Sequence, residues 1–361
     1  MSAQRRLLQI PPGTEGFFLE EAYRHRRILS ELDRLLTQWG YLPAETPVFD
    51  FYDIYKPLLD ESSAESIYRM MDRDGDLLML RNDVTLFLAK QMGMALTEED
   101  LPVRVWYADS ILRHQQQEDI SKNEFYQLGA ELIGTPGIEG DGEILLMAAE
   151  ILELLELPAA VHIGSSALIH EAARDLSPEE AKTFFKAVSL RDTEEMEGLI
   201  AERADRSRII ELLSFIGNPK EYNSSIESLG EGLGEEFKAC LGELAEIARL
   251  VEEQNPGLDL RIDLSETGSQ AYHTGMVFQA YLEGVDSAFL SGGRYDNLLD
   301  TFGFQSPSVG FSLLLRKVEP LVGRPERFAP EKDTERAAGS SFAERYRDAA
   351  EKRAAGRIVR L

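Results

Sequence analysis

Apolar and polar positions alternate with period two over Val103–Tyr107 and again over Glu124–Ile133. A polar stretch separates them, and the pattern predicts a β-hairpin with a long loop. In the second strand Phe125, Gln127, Gly129 and Glu131 share one face, and Tyr126, Leu128, Ala130 and Leu132 the other. The second set fits a core. The first carries an amide, a carboxylate and a glycine, whose missing side chain would let a small ligand approach the sheet. Arg113 stands just before the loop.

Around this hairpin the period changes. Residues 17–40 place Ala22, Ile28, Leu29, Leu32, Leu35 and Leu36 at helical spacing and stop at Gly40. The segment through Pro43 and Pro47 is extended, and 67–80 reads as a hairpin about a DRDGD turn. Helices are predicted over 84–95 and over 141–156, the second capped by Asp141. From about 166 to 255 helical periods dominate, with a capping pattern at Ser177, and an all-helical insertion is expected. Strand patterns return after the NPG at 255–257. LRIDLSE, AYHTGMVFQAYLEG and DSAFLSGGRYDNLL predict an antiparallel meander, which SPSVGFSLLLRK closes. The fold class is α+β, with a core from residues 1–165 and 256–323 around a helical insertion at 166–255. Residues 324–361 read as a polar linker and a basic amphipathic helix opening an incomplete module.

Composition narrows the function. The chain has 361 residues and 43% hydrophobic content, enough for a sizeable core. Its one cysteine, Cys240, excludes a disulfide framework and a Cys-based zinc site, and implies a cytoplasmic setting. The five histidines are scattered, so no metal is expected. Met70, Met71 and Met79 read as core filler and Cys240 as a small buried residue. MSAQRRLLQIPPGTEG has too short an apolar patch for a signal peptide, and no run approaches the ~18 apolar residues of a membrane span. With 38 Lys+Arg against 64 Asp+Glu, the formal charge is −26, which argues against a chain-wide nucleic-acid surface. Proteins or small molecules are the expected partners. Ser110 and Ser165 lack an adjacent His/Asp arrangement, so nucleophilic catalysis has no support.

PPGTEG, GYLPAETPVF, MLRNDVT, NEFYQLGAELIG, HTGMVFQ, SGGRYDNL and SVGFSLLLRK occur in that order. Together they resemble the catalytic core of histidyl-tRNA synthetases, which are class II aminoacyl-tRNA synthetases. The resemblance implies a six-stranded antiparallel sheet flanked by helices and a homodimer built on the extended Pro47 segment. It also implies a histidine pocket at Asp83, Thr85, Arg113, Gln127, Glu131 and Tyr272, with His273 beside it. The residue types suit the task. A free amino acid needs an anion for its ammonium, an acceptor for its ring N–H and a cation for its carboxylate. Asp83 stands where that family more often has Glu, one methylene longer.

The ATP half of the family's site departs from the pattern. Ser121 and Asn123 occupy arginine positions, Gln115 replaces an adenine-reading Glu, and Glu118 and Asp119 add negative charge. GSQAYH replaces an RGLDYY run, which puts Gly268 where the catalytic arginine would be. Lys317 falls at an ATP-binding arginine, with Arg316 one residue early. Each lost charge-assisted contact costs roughly 1.5–3 kcal/mol, so adenylation is expected to be lost, leaving no catalytic residues and no cofactor. The chain beyond residue 320 is too short for an anticodon-binding domain of about 100 residues, and no tRNA partner is expected. A synthetase-like chain that keeps only its histidine pocket resembles the regulatory subunit of ATP phosphoribosyltransferase. In that family it joins a short-form catalytic subunit at the first step of histidine biosynthesis, with histidine as effector. Two alternatives stay open. One is a divergent adenylate-forming ligase using histidine and ATP, which Arg113, Arg294, Arg316 and Lys317 keep in play. The other is a stand-alone histidine-binding protein.

Overall fold

In a computed structural model describing residues 10–11, 13–59, 61–114, 122–270, 272–330 and 335–361, the leading hairpin forms as read. Strands β5 (Val103–Leu112) and β6 (Glu124–Ile133) pair antiparallel from Val103 opposite Ile133 to Leu112 opposite Glu124. Further strands β1 (Leu42–Pro43), β7 (Ala160–Ser165), β8 (Ile216–Gly217), β9 (Asp259–Asp263), β10 (Met276–Tyr281), β11 (Leu290–Arg294) and β12 (Ser308–Leu314) complete the sheet. Its order is β1-β5-β6-β12-β11-β10-β7-β9-β8.

Two expectations change. The sheet has nine strands rather than six, and it is mixed, because β1 runs parallel to β5 and β7 parallel to β9. The predicted meander holds for β10, β11 and β12 but not for β9, which lies beyond β7. The sequence AVHIGS of β7 ends in small residues at the mouth of the helical block, so its alternation is too short to register. That block supplies the long connection a parallel β7–β9 pair needs. At the opposite edge, β1 contains Pro43, which lacks a ladder donor and so suits an edge strand.

Helix α1 (Glu20–Gln38) ends before Gly40, whose φ of +84° is a conformation glycine adopts without strain. Helices α2 (Val84–Ala95) and α3 (Gly137–Leu154) are mostly apolar, and α3 packs on β6 and β12. Asp141 does not cap α3, as the pattern suggested. It lies inside the helix, buried, in a 2.6 Å ion pair with Arg294. Between β7 and β9 run α4 (Ser166–Ala172), α5 (Pro178–Leu190), α6 (Thr193–Leu199), α7 (Arg206–Leu213), α8 (Pro219–Gly230) and α9 (Glu235–Gln254). Ser177 and Glu180 form the predicted capping box of α5. The block is not purely helical, since β8 joins the sheet edge beside β9. Cys240 on α9 is half-buried rather than sealed.

A small sheet of β2 (Phe49–Phe51), β4 (Leu77–Leu80) and β3 (Arg69–Met71) contains the predicted hairpin. Met79 is fully buried there, but Met70 and Met71 are 43% and 70% exposed, so two of the three methionines are surface residues rather than core filler. Contacts along the chain divide it into two units: residues up to Glu15 with Leu32–Gly323, and Gly16–Glu31 with Arg324–Leu361. The second contains β13 (Glu335–Arg336), α10 (Phe342–Ala354) and β14 (Val359–Arg360), with β13 and β14 parallel. Among the described residues no helix is long and apolar enough to cross a membrane.

Candidate functional site

The sequence RNDVT turns from β4 into α2, and its side chains meet the polar face of β6. Asp83 is extended (φ −154°, ψ 129°) and caps α2, accepting from the Leu86 N–H at 3.4 Å. One residue on, the Val84 N–H donates to Gln127 Oε1 at 2.9 Å, which ties the helix start to the strand. The Gln127 Nε2 group is buried without an acceptor among the described residues.

Glu131 is buried, 2% exposed. Its Oε1 accepts from the Thr85 hydroxyl at 2.8 Å and the Tyr107 hydroxyl at 3.4 Å, and its Oε2 from Tyr295 at 2.5 Å. Gly310 stands opposite it on β12, where a Cβ would fall inside the carboxylate, so the close approach requires glycine. Burial pushes the Glu131 carboxyl up to about 8, against the Tyr295 and Thr85 hydrogen bonds, and the nearby Asp83 charge adds to the rise. No cationic side chain pairs with it among the described residues.

Arg113 closes the outer side. Its Nε donates to the Asn82 carbonyl at 2.8 Å and its Nη2 to Asp83 at 3.4 Å. Gln270 Nε2 donates to the same Asp83 oxygen at 3.3 Å. The Tyr272 ring stands edge-on to Tyr295 and to His273, with centroids 5.7 and 5.4 Å apart. Burial together with the Asp83 and Glu131 charges holds the Tyr272 hydroxyl well above its usual pKa. His273 is buried with Nδ1 unpartnered among the described residues, and burial lowers it to about 4, so the ring is neutral.

These groups frame two adjoining spaces. An outer chamber of about 220 Å3 is lined by Asn82, Asp83, Arg113, Ser269, Gln270 and Tyr272, among others. An inner space of about 20 Å3 is bounded by Asp83, Thr85, Glu131, Tyr272, His273 and Tyr295. Six of the seven residues read from the sequence therefore line one site, and Gln127 braces it through Val84. The reading of Gly129 as open room for a ligand does not hold. A Cβ there would collide with the Tyr107 hydroxyl, so the glycine admits a tyrosine from β5.

Tyr107, Tyr295, Gln270 and Asn82 escaped sequence reading. Tyr107 continues the apolar face of β5 and looks like core. Its register opposite Gly129, the one gap on β6, is the signal that could have found it. Tyr295 is reached only by folding SGGRYD back onto β12, where its N–H bonds to Ser308.

On the other side the positions tied to ATP diverge. Gln115, Glu118, Asp119 and Ser121 lie outside the described residues. Asn123 is buried, and its carbonyl accepts from the Arg113 N–H. Gly268 has φ +75°, and a side chain there would run into His273 Nδ1. Arg316 sits over the ring of Tyr126, on the face of β6 opposite Gln127 and Glu131, and Lys317 bonds Ser287 at 2.6 Å.

Comparison with known proteins bears on the same residues. The family model for histidyl-tRNA synthetase matches residues 13–318. A protein from Moorella thermoacetica called ATP phosphoribosyltransferase regulatory subunit is 31% identical over 326 residues, covering 86% of this chain and 81% of that one. A solved structure from Bacillus halodurans, described as an ATP phosphoribosyltransferase regulatory subunit/histidyl-tRNA synthetase, superposes with a TM-score of 0.83 at 24% identity. It covers 98% of this chain and 92% of its own. The histidyl-tRNA synthetase of Nostoc sp. PCC 7120 shares the fold, with a TM-score of 0.76 at 19% identity over 98% of this chain and 85% of that one. The chain belongs to the family of ATP phosphoribosyltransferase regulatory subunits, built on the histidyl-tRNA synthetase core.

Proposed function

We propose that this protein is a non-catalytic, histidine-sensing subunit that a short-form ATP phosphoribosyltransferase requires for the first step of histidine biosynthesis. One contrast carries the reading. The half of the site suited to an amino acid is assembled, with Asp83 for the ammonium, Arg113 for the carboxylate, Gln127 as a free donor and Glu131 for the ring. The half suited to a nucleotide is not. Gly268 has no room for an arginine, and Arg316 and Lys317 engage groups away from the pocket. Arg113 is the one cation lining the pocket among the described residues, so charge developing on a phosphate would have little to stabilise it. These departures weigh against the ligase reading.

Sensing requires that histidine bind one state of the complex better than another. The deciding assay mixes the purified chain with a short-form phosphoribosyltransferase catalytic subunit, with and without histidine. The mixture should be active, the catalytic subunit alone nearly inactive, and histidine should lower the activity. No complex and no activation would overturn the reading. Histidine-dependent pyrophosphate exchange by the chain alone would transfer it to the ligase alternative.

A homodimer is part of the same proposal. By strand register Phe49, Phe51 and Met70 share one face of the small sheet, 52%, 46% and 43% exposed, beside Val48 at 55%. An apolar face of this kind marks an interaction surface, and two copies related by a two-fold axis would cover it with itself. In sedimentation experiments at micromolar concentration the native chain should run as a dimer and Phe49→Glu/Met70→Glu as a folded monomer. An unchanged dimer would place the interface elsewhere.

A further inference from the structure

Resting on the histidine-sensing reading, we propose that the Glu131 carboxyl and the ring of the bound ligand share a single proton, which makes the pocket selective for an azole that can give or take one. The pocket withholds a counter-ion from its deepest acid. Among the described residues every partner of Glu131 is a neutral hydroxyl: Tyr107 from β5, Thr85 from α2, and Tyr295 from the segment after β11. The other titratable groups around the inner space bring no positive charge. Asp83 at the start of α2 opposes ionisation, Tyr272 is a phenol, and His273 is held neutral by burial. Arg113 is spent on Asp83 and the Asn82 carbonyl, not on Glu131. A phenyl ring could not answer this carboxyl, and a fixed cation would need it permanently ionised. An imidazole fits either way. It accepts the carboxylic proton as a neutral ring, or donates as imidazolium to the carboxylate, and the pair carries one proton in both cases.

The pH dependence follows from counting protons on the pair. With the Glu131 carboxyl at about 8 in the empty pocket and a free imidazole near 6.5, the separated partners carry two protons in acid and none in alkali. Binding must therefore release one proton below about pH 6.5 and take one up above about pH 8, and affinity peaks between. A carboxylate that stayed ionised throughout would give no maximum, and affinity would rise as pH falls through about 6.5 and then level off.

Calorimetric titration with L-histidine at about pH 5.5, 7 and 9, each in two buffers of different ionisation enthalpy, reads these protons directly. The native chain should release nearly one proton at the acid end, exchange almost none at the middle pH and take up an extra proton at the alkaline end. In Glu131→Gln that extra alkaline uptake should vanish, while the contribution of the ligand's α-ammonium is common to both proteins. Equal alkaline uptake by the two proteins would overturn the proposal, as would affinity that rises into acid and stays high without a maximum. If histidine binds at no pH, the sensing reading fails first and this inference with it.

The empty protein gives a second readout. The Glu131 carboxyl stands at about 8 folded against an ordinary 4.5, so the folded state holds the extra proton between those values. Stability should then fall as pH rises from about 4.5 to about 8. Glu131→Gln should flatten that component of the decline, and a decline identical in both proteins would contradict the geometry on which the sharing rests.

Discussion

Arg81→Met is expected to lower the unfolding free energy by about 3–5 kcal/mol, because several buried or half-buried acceptors lose their donor at about 1–3 kcal/mol each. Arg81 is 1% exposed at the end of β4. Its Nη1 donates to the Thr46 carbonyl and hydroxyl at 2.9 and 2.8 Å, and its Nη2 and Nε to the Ser110 carbonyl at 2.9 and 3.2 Å. Nη2 also pairs with Asp109 at 2.6 Å. One guanidinium therefore joins the extended segment before β2, the end of β4 and the C-terminal part of β5. Methionine fills most of the volume but leaves buried carbonyls unsatisfied, each costing about 1–3 kcal/mol. Arg81→Lys keeps the charge without the planar fork, so it should recover only part of the loss. Urea denaturation monitored by tryptophan fluorescence measures both variants. A loss below about 1 kcal/mol for Arg81→Met would show that the three segments hold together without it.

What the chain revealed in advance divides by distance along the sequence. Local signals were legible. The β5–β6 alternation, the Ser177 capping box and the glycine stop of α1 depend on residues within one element, and all three formed. Misreadings came where a remote partner decides. Asp141 looks like a cap until Arg294, more than a hundred residues away, claims its carboxylate. Met70 and Met71 look like core until the register with β4 turns Met70 outward on the face it shares with Phe51 across Leu78, with Met71 at the open end of the sheet. The place of β7 between β9 and β10 is invisible because nothing in six residues encodes a neighbour across the helical block.

The candidate site shows the same division. The acids, the amide and the arginine could be named from motifs because their types are chemically distinctive. Tyr107 and Tyr295 could not, since a tyrosine that solvates a buried carboxylate looks like any core aromatic until the sheet is assembled. Arg81 belongs with them. It lies inside a quoted motif, MLRNDVT, yet its weight in the fold comes from Thr46 and Ser110, on different strands and loops.

Asp83→Asn is expected to weaken histidine binding by roughly ten- to a hundredfold, with a change in stability below about 1 kcal/mol. The two effects separate because the carboxylate serves two purposes. Its shape caps α2 through the Leu86 N–H, and the isosteric amide oxygen can accept the same bond. Its charge would meet the α-ammonium of the ligand, and asparagine has no charge to offer. In the empty pocket that charge is shared by Arg113 at 3.4 Å and Gln270 at 3.3 Å, long contacts that an ammonium can displace. Arg113 keeps its bond to the Asn82 carbonyl in the variant, so it remains placed for the ligand carboxylate. Asp83→Glu tests the longer side chain common in the wider family. It restores the charge but moves it beyond cap distance, so binding should return more fully than the stability of the first turn of α2. Calorimetric titration of histidine beside thermal denaturation distinguishes the outcomes. Full affinity in Asp83→Asn would move the ammonium to another acceptor, and a large loss of stability would mean that the Arg113 pair is structural.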